Sequence, residues 1–332
     1  MSRFLFAVTA LLLLGSTSAH ALVQRAYVSA LTGNDSNTAT DCQATAPCRW
    51  FAGAISVVSS GGEIVAMDSG AYGTVTITKS IAIVGAPGVY SGITVFSGHG
   101  ITIATAGVNV VLRGLTINSL GSSGSGIYMT AGNSLVVQNC VVTNFSSSSG
   151  VYVTGATQVR LLDSLLRGNG HGARFSNGPS VLVSNSRLVD NTYGLYAWAS
   201  GAGVETKVQV FRSEASGNVG IGYDALAASS GQVELHVKDS VASRNGSGVY
   251  AYSSGGVALV SVTGSLISSN TAYGLAAENS GAKLVASGNT VTHNNFGLVQ
   301  ISTDVLESAG DNLVRENVTL NTVGTITTIG KL

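Results

Sequence analysis

The sequence predicts an all-β fold, a right-handed parallel β-helix whose coils stack behind an N-terminal capping helix. Three recurring features carry that prediction. A four-residue phrase opening on glycine returns about every 24 residues, a second strand phrase in each coil ends on serine, and one asparagine stands just ahead of each new glycine.

The glycine phrase reads glycine, apolar, variable, apolar. It occurs as Gly126-Ile127-Tyr128-Met129, Gly150-Val151-Tyr152-Val153, Gly172-Ala173-Arg174-Phe175 and Gly194-Leu195-Tyr196-Ala197. It continues as Gly220-Ile221-Gly222-Tyr223, Gly248-Val249-Tyr250-Ala251, Gly274-Leu275-Ala276-Ala277 and Gly297-Leu298-Val299-Gln300. The intervals are 24, 22, 22, 26, 28, 26 and 23 residues, too regular for chance and too short for a propeller blade.

The second phrase alternates with period two and ends on a polar pair, as in Val159 to Ser164, Val181 to Ser186, Val208 to Ser213 and Val233 to Ser240. Alternation of this kind marks a strand with one buried face. Ser164, Ser186, Ser213, Ser240 and Ser265 are expected to stack as one column, with Cys140 as a small buried residue at its start. The asparagines are Asn144, Asn169, Asn191, Asn218, Asn245, Asn270 and Asn294. Asparagine tolerates the left-handed backbone of a sharp turn, and stacked amides hydrogen-bond along a ladder of about 4.8 Å spacing. These residues are therefore read as structural.

Leucine-rich repeats share the period and an asparagine ladder, but they need leucines at fixed sites and an often helical convex side. Here the rest of each coil is Ser/Gly turns and β-branched residues. Calcium-binding nonapeptide rolls are excluded because their glycine-aspartate repeats are missing.

Composition agrees with a packed, turn-rich chain. Glycine is 43 of 332 residues, proline 3, and charged residues 10%. A mean hydropathy of +0.35 and a net charge of +0 exclude disorder and offer no basic face for nucleic acid.

The N-terminus reads as an export signal. Arg3 supplies the positive charge, Phe4 to Leu14 the apolar run and Ala19-His20-Ala21 the cleavage site. Residues 1–21 are then removed, leaving a secreted, periplasmic or cell-surface protein without a membrane span, expected to be a monomer. Residues 22–62 are read as a cap and 63–332 as the β-helix, with the clearest repeats over 126–300 and a C-terminal cap in the threonine-rich tail. Within the cap, Arg49 to Ser59 places Phe51, Ala54, Ile55 and Val58 on one helical face. Cys42 and Cys48 lie close together in a polar segment. In an oxidising compartment they are expected to form a disulfide, leaving Cys140 free.

A resemblance adds to this reading. The opening Tyr27-Val28-Ser29, Gly33-Asn34-Asp35 and Pro47-Cys48-Arg49 with Phe51 resembles the start of many exported bacterial β-helix proteins. With the Gly/Asn coils, the chain resembles the right-handed β-helix repeat family of the pectate-lyase-like superfamily over nearly all of its mature length. The resemblance implies the fold and not one activity, because members include lyases, hydrolases, epimerases and adhesins.

The residues nominate no catalytic set. Asp163, Asp190, Asp224 and Asp239 fall at different places in their coils, so no calcium site of stacked carboxylates is expected, and no other metal or cofactor. Arg160, Arg167, Arg174, Arg187, Arg212 and Arg244 are equally scattered. Gly170-His171-Gly172 and Gly98-His99-Gly100 resemble a polygalacturonase phrase but lack its aspartate partners. Tyr223-Asp224 is similar to part of an epimerase motif whose histidine is missing here. His236 and His293 stand alone.

What remains is a face. The variable site of each glycine phrase points outward by strand alternation, giving the column Tyr128, Tyr152, Arg174, Tyr196, Gly222, Tyr250, Ala276. Two residues further on stand Trp198, Asp224 and Tyr252. Rings in a row suit the CH faces of sugars. Tyr152, Arg174, Tyr196, Trp198, Tyr250 and Tyr252 are thus the candidate glycan-binding residues of a non-catalytic exported protein, whose partner is a polysaccharide or cell-surface glycan. The alternatives are a lyase or hydrolase acting on an acidic polysaccharide, and a structural surface protein or adhesin in which the rings only stabilise the sheet.

Overall fold

The computed structural model describes residues 22–330, so the expected export signal and its cleavage site lie outside the described residues. The chain winds through three parallel sheets of 13, 11 and 11 strands. One coil runs through Gln158–Leu162 in the first sheet, Leu165–Arg167 in the second and His171–Ser176 in the third. The next repeats the circuit through Ser180–Ser184, Arg187–Val189 and Tyr193–Ser200. Each strand pairs in parallel with its counterparts one coil below and one above. The fold is the right-handed parallel β-helix that the repeat predicts.

The pleat sends alternate side chains to opposite faces. In Tyr193–Ser200, Leu195, Ala197 and Ala199 are buried inside the coil, while Tyr196 and Trp198 reach the outer surface. Each coil therefore adds a thin apolar layer to one continuous core.

Two of the three corners of a coil are built by a left-handed residue followed by a ladder residue. Between the first and second sheets, Asp163, Asn185, Arg212 and Asp239 take φ of 50°, 49°, 46° and 48°. The serines after them stack as expected: the N–H of Ser164 donates to Ser186 Oγ, Ser186 to Ser213, Ser213 to Ser240, and Ser240 to Ser265. Cys140 opens this column, its N–H donating to Ser164 Oγ at 3.1 Å. The column passes into Asn289 and Asn312 at its upper end.

At the second corner, Asn169, Asn191, Asn218, Asn245, Asn270 and Asn294 form a buried ladder, extended by Asn317. Two details differ from the sequence reading. The left-handed residue is the one before each asparagine, such as Asp190 at φ 55° and His293 at φ 56°. The asparagine itself turns its amide inward to satisfy backbone groups, so hydrogen bonding and not turn tolerance selects it. Asn144 is outside the ladder. It is itself left-handed, at φ 69°, and its amide donates to Asn118 Oδ1 at the surface. Phe145 takes the ladder position, its N–H donating to Asn169 Oδ1 at 3.1 Å.

The register also corrects one glycine phrase. Leu195 pairs with Tyr223 and Tyr196 with Asp224, and these pair onward with Val249 and Tyr250. The phrase in that coil is therefore Gly222-Tyr223-Asp224-Ala225, two residues later than Gly220-Ile221-Gly222-Tyr223. Close approach selects Gly222. A Cβ there would lie 2.7 Å from the carbonyl oxygen of Gly248 and 2.9 Å from Nδ2 of Asn245. Asp224 thus replaces Gly222 in the outward column, and Leu226 replaces Asp224 two residues on.

The N-terminal end is closed by the helix Phe51–Val57 and the disulfide Cys42–Cys48. The helix is shorter than the predicted Arg49 to Ser59. It buries Phe51, Ala54 and Val57, whereas Ile55 is half-buried and Val58 already belongs to the strand Val58–Ala66, paired to Val23. Asp35 Oδ1 accepts the N–H groups of Arg49 and Trp50 at the helix start. The first sheet begins with Val23–Val28, whose free edge bonds to the disulfide loop through Tyr27 N–H to Cys42 O (2.8 Å) and Cys48 N–H to Tyr27 O (3.0 Å). An open parallel edge is a template for aggregation, and this loop covers it. No helix among the described residues is long and apolar enough to cross a membrane.

Cys140 is free and 1% exposed, and burial pushes its thiol up to about 11. Thiolates, not thiols, react with alkylating agents. Iodoacetamide at pH 8 is therefore expected to leave Cys140 untouched in the folded protein and to modify it after denaturation. Rapid labelling of the native protein, read by intact mass, would show the thiol to be accessible.

Candidate functional site

The outer surface of the third sheet gathers the rings. His99 stacks on Tyr128 with centroids 4.2 Å apart, and Tyr128 meets Tyr152 at 5.3 Å. The Arg174 guanidinium then lies 4.7 Å from the Tyr152 ring and 5.6 Å from Tyr196. Such cation–π contacts attract a cation to the faces of both rings. His171 adjoins both Tyr193 and Tyr196 at 5.2 Å. After one interruption the run resumes as Tyr250, Tyr273 and Phe296, with spacings of 6.2 and 6.0 Å.

Tyr152, Arg174, Tyr196, Trp198, Tyr250 and Tyr252 are all on this face, as expected, and all are half-buried where full exposure was expected. Neighbouring coils are so close that each ring lies partly across the next. Trp198 and Tyr252 are the exceptions in their contacts: among the described residues neither touches another ring.

The histidines and the second file of rings were missed. His171, Tyr193, Tyr273 and Phe296 each stand one residue before the glycine, where strict alternation points a side chain into the core. The corner breaks that alternation and turns them outward. The repeated aromatic at that one position was the signal available. Burial and then Arg174 hold the His171 imidazole down at about 4, and burial lowers His99 as well. At neutral pH His171 is therefore an uncharged ring, and so is His99. Beside them, Ser147, Tyr152, His171, Arg174 and Tyr193 line a recess of about 320 Å³.

Asp224 fills the interruption. The register puts it between Tyr196 and Tyr250, 4% exposed, with its Oδ1 buried and without a hydrogen bond. Burial pushes its carboxyl up to about 7. Tyr250 donates to Glu278 on the far side, and burial with that bond raises the phenol strongly. Burial and the Asp224 charge push Tyr196 up to about 12.

The remaining charges lie elsewhere. Arg167 pairs with Asp190 and Arg187 with Glu214 along the second sheet. Asp163 and Asp239 sit at corners three coils apart. His293 is not alone, since Nε2 lies 3.4 Å from Glu316, and His236 meets Ser261 Oγ. No group of three or more His, Cys, Asp or Glu side chains able to hold a metal ion occurs among the described residues. Wider grooves of about 480 and 470 Å³ cross the outer face of the first sheet. Glu205 and Glu234 already engage Lys207 there, and Phe211 is the only ring apart from His236.

A family model for the right-handed β-helix region matches residues 55–236. The chain belongs to this β-helix family. The β-helix protein is also similar in fold to solved structures at low identity. A polygalacturonase from Erwinia carotovora ssp. carotovora has a TM-score of 0.59 at 10% identity, covering 96% of this chain and all (100%) of the other. The A-module of a mannuronan C-5 epimerase from Azotobacter vinelandii has a TM-score of 0.57 at 12% identity, covering 81% and 89%. Pectate lyase Pel9A has a TM-score of 0.50 at 17% identity, covering 87% and 78%. No curated protein matches the β-helix protein.

Proposed function

We propose that this protein is an exported glycan-binding β-helix whose contact surface is the ringed outer face of the third sheet. The observation that carries the reading is the unbroken run from His99 through Tyr128, Tyr152 and Arg174 to Tyr196. Aromatic planes at one coil's spacing match the CH faces of successive sugars. Tyr152 to Tyr250 spans four coils, about 19 Å, room for several sugar units. The fold relatives named above are a hydrolase, an epimerase and a lyase of polysaccharides, and this supports a carbohydrate ligand.

Trp198 gives the cleanest test because its ring supports no other ring. A glycan array identifies the ligand, and titration calorimetry then compares the protein with Trp198→Ala. Binding is expected to weaken by about 1–3 kcal/mol, as for an aromatic hot spot, with the melting temperature almost unchanged. A lower melting temperature with unaltered affinity would mean that the rings serve only the sheet.

One observation favours a second reading, a polysaccharide lyase or hydrolase: two carboxylates, Asp224 and Glu278, flank Tyr250 on this face. Incubation with the bound polymer followed by product chromatography separates the two, since a binding protein returns the polymer at its original length.

A further inference from the structure

We infer that Asp224 is the specificity-determining residue of this face, an acceptor for paired hydroxyl groups of a neutral sugar. The inference rests on the glycan-binding reading above and adds the class of ligand to it.

Asp224 is the one acidic side chain in the outward column, and no protein group satisfies it. No hydrogen bond or ion pair reaches either carboxylate oxygen among the described residues, and Oδ1 is sealed from solvent. A buried polar atom left unpaired costs about 1–3 kcal/mol. The cost is removed when a ligand supplies donors. Sugar hydroxyls are such donors, and the rings on either side would take the sugar's apolar faces.

The surroundings select against an acidic sugar. The titratable groups on the adjoining strands are Tyr193 and Tyr196 on one side and Tyr250 and Tyr252 on the other. One coil further out stand His171 and Arg174, and, opposite, Tyr273 and Glu278. Across the core, Gln232–Lys238 and Val257–Thr263 turn Val233, Leu235, Val237, Ala258, Val260 and Val262 inward, and Glu234, His236 and Lys238 face the opposite surface. Among the described residues no cation stands on the strands adjoining Asp224, so a sugar carboxylate at this position would meet a like charge directly, while Arg174 and Glu278, each two strands away on opposite sides, offset one another. Access would come past Tyr196: Glu278 holds the Tyr250 hydroxyl, whereas among the described residues no hydrogen bond holds that of Tyr196, whose ring is kept in place by its contacts with Arg174, His171 and Tyr193.

Ligand donors favour the ionised carboxylate. Binding is therefore expected to tighten as pH rises through neutrality. Calorimetry with cellohexaose, xylohexaose, mannohexaose and hexagalacturonate at about pH 5.5 and pH 8 tests this on the full mature chain. The expected result is that a neutral hexamer binds about fivefold or more tightly at the higher pH, part of the tenfold per unit that proton linkage allows. Asp224→Asn is expected to bind with the pH step lost. Preference for hexagalacturonate, or affinity that rises toward pH 5.5, overturns the inference. A pH step that survives in Asp224→Asn, with binding still lost in Trp198→Ala, overturns the subsite and leaves the glycan-binding face standing. No binding by any hexamer at either pH overturns both.

Discussion

Replacing Asn218 by leucine is expected to destabilise the protein by about 2–5 kcal/mol, because one side chain serves three coils. Its Oδ1 accepts the backbone N–H of Asn191 at 3.0 Å and the Asn191 amide at 3.2 Å. Its Nδ2 donates to the carbonyl of Leu188 at 3.0 Å and to Asn245 at 2.8 Å. Leucine fills a similar volume but leaves the Asn191 N–H and the Leu188 carbonyl buried without partners. The same change at Asn317, half-buried in the last coil, is expected to cost about half as much, since water reaches the groups it orphans. Urea unfolding followed by circular dichroism compares the two variants. Equal, small effects at both sites would mean that the ladder contributes little, and intact stability with lost glycan binding would make it a ligand site.

Asp224→Asn is expected to act in the opposite direction and only above acidic pH. An aspartate ordinarily titrates at 3.8, and in the folded chain burial raises this one to about 7. Between those values the folded state keeps a proton that the unfolded state has released. Stability is thus fully present below about pH 4 and falls as pH rises to about 7, by up to roughly 4 kcal/mol at 1.36 kcal/mol per unit. Asparagine has no proton to lose. The variant is therefore expected to be about 2–4 kcal/mol more stable than the parent at pH 8 and nearly equal to it at pH 4. Denaturant titrations at the two pH values measure the difference. A variant that keeps the parent's pH slope would place the titrating group elsewhere. The cost that the protein bears at Asp224 in the free state is the same one that a hydroxyl-rich ligand relieves.

Much of this architecture is local information. The period of about 24 residues, the alternation within each strand and the recurrent serine and asparagine are visible in the sequence because each coil repeats one set of contacts. Cys140 was legible for the same reason, as the first rung of the serine column. The aromatic face was legible only where alternation holds, at Tyr128, Tyr152, Arg174, Tyr196, Trp198, Tyr250 and Tyr252.

Two things were decided by coil-to-coil contact alone. The extra residue between Asn218 and Gly222 offers two glycines for one position, and only the approach of the Gly248 carbonyl and the Asn245 amide selects the second. That choice leaves Tyr223 inward and Asp224 outward, as a two-residue shift must, but brings Asp224 into line with Tyr196 and Tyr250 and so sets the unpaired carboxyl at the centre of the face. The corner after the asparagine ladder likewise sends His171, Tyr193, Tyr273 and Phe296 to the surface against the period-two rule. Periodicity within a strand determined what the protein is built from. Register between strands, set by where backbones approach too closely for a side chain, decided what stands at its surface.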